Sequence, residues 1–269
     1  MLDSLLLVGC GKMGTALLAG WIARGLAPSD AFVIEADSAQ RDRIRAMGAA
    51  VWTTPEALTK DFLPATVVFA VKPQSMDAVV PAYARFARTA LVVSIAAGKS
   101  ITYYESLLGE NAAIVRVMPN TPAAVGRGMS VCVANAHVST TQRARTGDLM
   151  SAVGDVAWIE DEALMDAVTA LSGSGPAYVF LLVECMAQAG IAAGLDAAIA
   201  MRLARMTVIG SGELMHQMPD DAATLRRNVT SPGGTTEAAL KILMAKPGLE
   251  DLMVTAIDAA RRRGRELAG

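Results

Sequence analysis

The feature that most restricts the fold of this chain lies in its first fourteen residues. An apolar run, Leu5-Leu6-Leu7-Val8, leads directly into Gly9-Cys10-Gly11-Lys12-Met13-Gly14, and a helical pattern follows. A Gly-x-Gly-x-x-Gly turn between a buried strand and a helix is the fingerprint of folds that bind dinucleotides. Because the turn opens a βαβ pattern here, it favours nucleotide binding over an ordinary glycine-rich turn.

Each glycine of this turn has a separate expected role. Gly9 permits the tight turn, Gly11 lets the backbone approach a pyrophosphate, and Gly14 lets the helix pack closely on the strand. The N–H groups at the start of the helix would hold the phosphates. Lys12 and Met13 belong to the same loop, and we include them in the predicted cofactor-binding set.

The first two thirds of the chain alternate short apolar runs with amphipathic stretches, which predicts a doubly wound, Rossmann-like parallel sheet. Several of the runs are apolar on both faces, as expected for central parallel strands. The predicted strands are Ser4–Val8, Ala31–Glu35, Thr66–Ala70, Ala90–Ile95, Ala113–Val117 and Gly128–Ala134. The predicted helices between them are Met13–Arg24, Ala39–Met47, Pro73–Phe86 and Thr102–Leu108.

The pattern changes near Glu160, after which the chain shows helical periodicity and no convincing strand. We therefore predict a dinucleotide-binding domain over residues 1–160 and an all-α domain over residues 161–269. So apolar a helical domain would bury its excess surface against a second chain. The predicted helices are Ile159–Leu171, Pro176–Gly194, Ala197–Gln217, Ala222–Arg227, Thr235–Ala245 and Leu249–Ala268.

Composition narrows the classes of function. The 269 residues are 53% hydrophobic and 4% aromatic, and their formal net charge is −2, so there is no overall electrostatic footprint for nucleic acid. Cys10, Cys132 and Cys185 are far apart and form no Cys-x-x-Cys pair, so we expect neither a disulfide framework nor a structural metal site.

The start of the chain lacks the basic region of a signal peptide, and we predict a soluble, cytoplasmic protein with no membrane partner. The longest apolar stretch, Ala177–Leu195, is about as long as a membrane span. It contains Glu184 and Gln188 and lacks basic flanks, which favours a buried interface helix over a span.

The end of the second predicted strand bears on the choice of dinucleotide. Glu35 and Asp37 lie about twenty residues beyond Gly14, where an acid hydrogen-bonds the ribose 2′-OH of NAD and repels the 2′-phosphate of NADP. Alternatively, one of these acids simply caps the next helix. Ser38 and Arg41 follow, and they leave NADP open as the cofactor.

Three later loops rich in Gly, Pro, Ser or Thr lie at the ends of predicted strands or at the start of a helix. Met118-Pro119-Asn120-Thr121-Pro122 follows a predicted strand, as does Val71-Lys72-Pro73, and the carboxyl ends of strands are where open α/β sheets bind ligands. Thr230–Glu237 begins a helix and offers two glycines among four hydroxyl side chains, which favours a carboxylate cradle over a simple cap.

Together these motifs resemble one family. The segments Gly9–Gly14, Val71–Pro73, Met118–Pro122, Ser172–Tyr178 and Ser231–Thr236 occur in the order and spacing seen in pyrroline-5-carboxylate reductases. The resemblance runs from about Leu5 to past Leu252, and Ser-Pro-Gly-Gly-Thr-Thr is its most specific part.

The resemblance implies an activity and an assembly. The family reduces the C=N bond of Δ1-pyrroline-5-carboxylate to L-proline with NADPH or NADH. It pairs an N-terminal Rossmann domain with a C-terminal helical domain that binds substrate and forms a homodimer, and such dimers sometimes assemble into decamers.

The resemblance also implies roles for matched residues. Thr236 would lie near the ring nitrogen of the substrate and act as the catalytic residue. The implied substrate-binding residues are Ser231, Gly233, Gly234, Thr235 and Thr236. The implied residues around the nicotinamide half of the cofactor are Val71, Lys72, Pro73, Ala97, Gly98, Asn120 and Thr121.

One departure concerns the cofactor: members that prefer NADPH commonly carry a polar or basic pair where this chain has Ala36-Asp37. A second observation concerns chemistry, since His137 and His216 lie outside every motif. A cyclic imine that binds already protonated needs no strong acid during hydride transfer, so this absence favours imine over ketone reduction.

Two other functions remain as alternatives. A β-hydroxyacid dehydrogenase also joins such a glycine-rich loop to a helical domain, but its chemistry uses a lysine, and residues 172–194 contain none. A non-catalytic dinucleotide sensor would not need the intact Ser231–Thr236 loop.

Overall fold

The structure, a computed structural model, describes residues 4–59 and 61–268. The chain divides into two compact units. The first extends to Gly173 and also takes in the C-terminal segment from Arg261, and the second covers Ser174–Ala260. Each unit is described by itself.

The first unit is built on an eight-stranded sheet with the strand order β3-β2-β1-β4-β5-β6-β7-β8. Neighbouring strands are parallel except for β6 and β7, which pair antiparallel. The sheet is therefore largely parallel, as predicted, but its last two strands, β7 and β8, run antiparallel to the other six. The strands are β1 (Leu5–Val8), β2 (Ala31–Ile34), β3 (Ala50–Trp52), β4 (Thr66–Phe69), β5 (Leu91–Ser94), β6 (Ile114–Met118), β7 (Gly128–Ala134) and β8 (Gly154–Trp158).

The helices of this unit follow the strands in alternation, as the sequence predicts. They are α1 (Lys12–Ala23), α2 (Ser38–Ala46), α3 (Met76–Val79), α4 (Ala84–Ala87), α5 (Ile101–Leu108), α6 (Thr140–Ser151) and α7 (Met165–Val168). Short 3₁₀ segments are Pro28–Asp30, Pro55–Ala57, Pro73–Ser75, Val80–Tyr83, Thr121–Val125 and Glu162–Leu164.

The central strands are buried on both faces, which explains their uninterrupted apolar sequences. In β1, Leu5 and Leu7 belong to one hydrophobic core, whereas Leu6 and Val8 belong to a second core on the other side of the sheet. This alternation fixes the register of β1 between β2 and β4. The carboxyl ends of these three strands consequently lie side by side.

Two predicted helices are interrupted. The predicted helix Pro73–Phe86 is instead a series of 3₁₀ and short α segments, because Pro81 has no N–H to continue a regular α-helix. The predicted helix Ile159–Leu171 begins only at Glu162 and turns into a π-helix over Thr169–Gly173.

The second unit is all-α, as predicted. Its helices are α8 (Gly175–Ala192), α9 (Ala197–Gln217), α10 (Ala222–Asn228), α11 (Thr235–Leu243) and the greater part of α12 (Leu249–Ala268). Helices α8 and α9 approach closely through small residues: a Cβ on Gly190 would lie 3.2 Å from the Cβ of Ala200.

Helices α8 and α9 leave large apolar side chains exposed within one chain. Phe180 is 62% exposed and Leu203 is 53% exposed, whereas the buried residues of the pair are alanines. The stretch Glu162–Ala192 is long and apolar enough to cross a membrane by length and composition, although a core or interface helix passes the same test. Exposed apolar surface of this extent is typical of an interface.

Candidate functional site

The glycine-rich turn has the geometry that the three expected roles require. Gly9 has a φ of 81°, and a Cβ there would lie 2.5 Å from Cγ1 of Val71. A Cβ on Gly14 would lie 2.8 Å from the carbonyl oxygen of Gly9, whereas nothing lies within 4 Å of a Cβ on Gly11. Gly9 and Gly14 are thus required by the packing of the protein itself, whereas the space beside Gly11, at the start of α1, is open.

A cavity of about 620 Å³ opens beside this turn at the carboxyl ends of β1, β2 and β4. It brings together six of the residues predicted to bind the cofactor, as well as side chains for which the sequence predicts no role. The predicted residues are Gly9, Gly11, Glu35, Asp37, Val71 and Lys72, and the additional ones include Thr54, Glu56 and Tyr83.

Glu35 joins the glycine-rich turn to the end of β2. One carboxylate oxygen accepts the N–H of Cys10 at 2.7 Å, and the other accepts the N–H of Asp37 at 2.9 Å. Burial, with Glu35 nearby, raises the pKa of the Cys10 thiol, so this thiol stays neutral. The carboxylate of Glu35 therefore holds the glycine-rich turn against the end of β2.

Asp37 is the N-cap of α2, since its Oδ1 accepts the N–H of Gln40 at 2.7 Å. The alternative that one acid caps the next helix is thus confirmed for Asp37. Asp37 also lines the cavity beside the glycine-rich turn. Arg41 donates from Nη1 to the carbonyl oxygens of Glu35 and Ala36, which keeps the guanidinium against the end of β2. Ser38 is exposed at the first position of α2.

A second cavity, of about 340 Å³, lies among the loops that follow β4 and β5. Pro73, Ala97 and Gly98 line it, so three residues predicted for the nicotinamide half are adjacent. Lys99 and Asp166 supply opposite charges to its lining, and Nζ of Lys99 lies 3.2 Å from Asp77.

The loop after β5 is held by a buried polar pair that the sequence analysis did not find. Ser94 Oγ lies 2.5 Å from the hydroxyl of Tyr104 and accepts the N–H of Ala96 at 3.2 Å. Burial raises the pKa of Tyr104 to about 12, so its hydroxyl is neutral. The only signal in the sequence is a serine at the end of an apolar strand, which is ordinary turn chemistry.

Both the oxygen and the nitrogen of the Asn120 side-chain amide form hydrogen bonds within the protein. Oδ1 accepts the N–H of Met129 at 2.8 Å, and Nδ2 lies 3.3 Å from both the carbonyl oxygen and the hydroxyl of Ser172. Asn120 thus fastens the loop after β6 to the π-helix. Thr121 begins the following 3₁₀ turn and is exposed.

A partly buried ion pair links β6 to the 3₁₀ segment Glu162–Leu164. Arg116 of β6 donates to Oε1 of Glu162 at 2.7 Å, and this oxygen also accepts the N–H of Ile101 at the start of α5. The side chains of Arg116 and Glu162 are 10% and 27% exposed. Removing one partner would leave a charge in a poorly solvated position.

In the second unit, the Ser231–Thr236 loop is a tight turn that leads into α11. Gly233 has a φ of 73°, which favours glycine. The N–H of Gly234 donates to the carbonyl oxygen of Ser231 at 3.0 Å, and the N–H of Gly233 donates to Oε2 of Glu237 at 2.6 Å. Both glycine N–H groups therefore have acceptors within the loop and the first turn of α11.

What the loop does present is a set of hydroxyls. Within the described residues, the side chains of Ser231, Thr235 and Thr236 have no hydrogen-bond partner, and α11 starts without a side-chain cap. Uncapped N–H groups at a helix N-terminus favour an anion. Residues 4–59 and 61–268 contain no group of three or more His, Cys, Asp or Glu side chains that could hold a metal ion.

Comparisons with known proteins agree with this arrangement. Residues 4–98 match a family described as NADP oxidoreductase, coenzyme F420-dependent, and residues 162–267 match one described as pyrroline-5-carboxylate reductase dimerisation. Relatives named pyrroline-5-carboxylate reductase include one from Pseudomonas aeruginosa, 42% identical over 97% of this chain and 95% of its own length. Another, from Arabidopsis thaliana, is 36% identical over 97% of this chain and 94% of its own length.

Solved structures give the same result. A pyrroline-5-carboxylate reductase from Coxiella burnetii superposes with a TM-score of 0.94 at 33% identity and covers 100% of both chains. A pyrroline carboxylate reductase from Plasmodium falciparum with NADP bound has a TM-score of 0.82 at 29% identity, covering 99% of this chain and 98% of its own.

Proposed function

Because the chain belongs to the pyrroline-5-carboxylate reductase family, we propose that it reduces the C=N bond of Δ1-pyrroline-5-carboxylate and forms L-proline. The chain is an NAD(P)H-dependent oxidoreductase of proline biosynthesis. The observation that carries this conclusion is similarity over nearly the full length, together with a glycine-rich turn whose geometry fits a dinucleotide. The alternatives, a β-hydroxyacid dehydrogenase and a dinucleotide sensor, have no comparable support.

We propose that the cofactor lies along the carboxyl ends of the strands, its pyrophosphate beside Gly11 and its nicotinamide beside Pro73, Ala97 and Gly98. When bound, the reduced nicotinamide supplies the hydride. The protein's own contribution is position: Glu35 shapes the glycine-rich turn, Ser94 holds the loop after β5, and Asn120 holds the loop after β6. Such fixed loops restrict the reacting groups to one geometry.

We propose that the Ser231–Thr236 loop receives the substrate carboxylate and ring. The hydroxyls of Ser231, Thr235 and Thr236 and the first N–H groups of α11 are the donors left over after the two glycine N–H groups are used internally. Thr236 is half-buried, and we assign it the position near the ring nitrogen. A protonated imine needs orientation there rather than a strong acid, because hydride addition neutralises a cation.

The dimerisation domain of the family occupies residues 162–267. We propose that two chains form a homodimer through the exposed apolar faces of α8 and α9, and that a decamer is the further assembly. A partner chain covers side chains such as Phe180 and Leu203, which explains why a soluble protein carries the long apolar stretch Glu162–Ala192. We place the enzyme in the cytoplasm.

The test is a spectrophotometric assay with Δ1-pyrroline-5-carboxylate and either NADH or NADPH, following the loss of reduced-nicotinamide absorbance. We expect turnover with at least one cofactor, and turnover with neither would overturn the assignment. Thr236→Val keeps the shape of the side chain and removes its hydroxyl. We expect it to lower kcat/KM about tenfold or more, as the loss of a hydrogen bond to a charged group does.

The control for Thr236→Val is Thr255→Val, a threonine on α12 whose hydroxyl bonds to the carbonyl oxygen of Asp251 within its own helix. This control should keep the kinetic constants of the unsubstituted enzyme. If Thr236→Val left both turnover and substrate affinity unchanged, the position assigned to Thr236 would be wrong.

A further inference from the structure

The Ser231–Thr236 loop is closed by an acidic side chain of the same chain. Glu237, at the third position of α11, reaches back so that its Oε2 accepts the N–H of Gly233 at 2.6 Å. Its other oxygen lies 3.6 Å from Nζ of Lys241, one helical turn further on. Glu237 is thus the side chain that links the first turn of the helix to the left-handed turn before it.

This contact differs from ordinary helix capping in what it fixes. In the usual capping box the third residue bonds to the N–H of the cap residue itself. Here the cap residue is Gly234, whose N–H already bonds to Ser231, and Glu237 bonds to the residue before it. Since Gly233 is in the left-handed conformation, the bond from Glu237 fixes the glycine at which the chain turns between Ser231 and Thr235.

We propose that Glu237 is a positioning residue for the substrate: it fixes the turn at Gly233 and so holds the hydroxyls of Ser231 and Thr235 in one arrangement. This inference rests on the proposed function of the loop as the substrate site. Glu237 touches neither substrate nor cofactor in this role. It acts through the backbone. Its negative charge weakens substrate binding, because the same carboxylate lies close to the place assigned to the substrate carboxylate.

The two effects can be separated by substitution. Glu237→Ala removes the acceptor of the Gly233 N–H, and we expect the KM for Δ1-pyrroline-5-carboxylate to rise about tenfold, while kcat changes less than about threefold. Glu237→Gln keeps an acceptor oxygen and removes the charge. We expect its KM to equal or fall below that of the unsubstituted enzyme, because the repulsion of the substrate carboxylate is removed. The KM for the dinucleotide should not change in either variant.

The chain offers a matched control on the next helix. Asp251 is likewise an acid near the start of its helix, α12, and its Oδ2 accepts the N–H of Gly248 at 3.0 Å. Asp251→Ala therefore removes the same kind of helix-terminal contact without touching the loop. We expect Glu237→Ala and Asp251→Ala to lower the thermal midpoint by similar amounts, and only Glu237→Ala to raise the KM for the imine.

Three outcomes would overturn the proposal. In the first, Glu237→Ala and Asp251→Ala give the same KM, which would make Glu237 a helix cap and nothing more. In the second, Glu237→Gln is as impaired as Glu237→Ala, which would contradict the role of the acceptor oxygen. In the third, Ser231→Ala and Thr236→Val leave the KM for the imine unchanged. That result would show that the Ser231–Thr236 loop does not bind the substrate, and the role of Glu237 would fail with it.

Discussion

Individual polar residues in this chain often serve the protein and the proposed ligand at once. Asn120 is predicted to line the nicotinamide half of the cofactor, but the structure shows both ends of its amide bonded to Met129 and Ser172. The sequence places Asn120 in a proline-containing loop that follows a predicted strand, where open α/β sheets bind ligands. It does not reveal what the side chain bonds to, because Met129 and Ser172 are brought to it only by the fold.

Asp37 gives a residue-scale prediction about the choice of cofactor. Although it caps α2, it lies with Glu35 at the end of β2, where the 2′-phosphate of NADPH would meet two carboxylates. We expect NADH to be used with the higher kcat/KM. Asp37→Ser keeps a capping oxygen and removes one charge, so it should raise kcat/KM for NADPH about tenfold and change that for NADH less.

The control for this experiment is Asp221→Ser, which replaces the N-cap of α10 in the same way, outside the proposed cofactor site. It should leave the ratio of the two cofactor efficiencies unchanged. A higher efficiency with NADPH in the unsubstituted enzyme would contradict the role of these acids and point to Arg41 as the residue that meets the phosphate.

At the scale of elements, the sequence predicts the strands and helices whose formation depends on their own hydrophobic pattern. Strands such as β1, β4 and β5 are apolar on both faces, and long helices such as α9 have a clear period, so both are found close to their observed bounds. Strands β3 and β8 were missed: β3 has three residues, and β8 mixes Gly154 and Asp155 with apolar positions. Their pairing depends on neighbouring strands rather than on their own sequence.

The polar pair below the loop after β5 gives an element-scale prediction. Ser94→Ala leaves the buried N–H of Ala96 without its acceptor, whereas Tyr104→Phe keeps the ring in the core and removes only a hydroxyl. We expect the first change to lower the free energy of unfolding by about 1–3 kcal/mol and the second by about 1 kcal/mol. Urea unfolding of both variants measures the order, and a larger loss for Tyr104→Phe would contradict the proposed hydrogen bonding.

At the scale of the whole molecule, the hydrophobic composition is explained by where the apolar side chains lie. The first unit buries its apolar residues in two cores on either side of the sheet. In the second unit, large apolar side chains of α8 and α9 remain exposed in a single chain. The sequence predicts this excess from composition, but only the structure shows which faces are left uncovered.

These faces give a prediction about assembly. Phe180→Glu on α8 and Leu203→Glu on α9 place a charge on the proposed dimer interface, and burying an unpaired charge is strongly unfavourable. We expect each variant to elute as a smaller species on gel filtration and to melt at a lower temperature. Leu63→Glu makes the same kind of change at a residue of the first unit that is 67% exposed, and should not alter the elution.

The assembly proposal would be refuted if the unsubstituted protein eluted as a monomer at micromolar concentration. It would also be refuted if Leu63→Glu disrupted the assembly as much as Phe180→Glu, because the effect would then not be specific to the second unit.

The glycine-rich turn has a consequence for how this sequence can diverge. The protein's own atoms leave no room for a side chain at Gly9 or Gly14, whereas Gly11 has open space around it. In a descendant that keeps the fold for another role, mutations at Gly9 or Gly14 would still be removed because they disrupt folding. A mutation at Gly11 would be removed only while a dinucleotide has to bind. The identity of residue 11 therefore records whether a descendant of this chain still uses its cofactor.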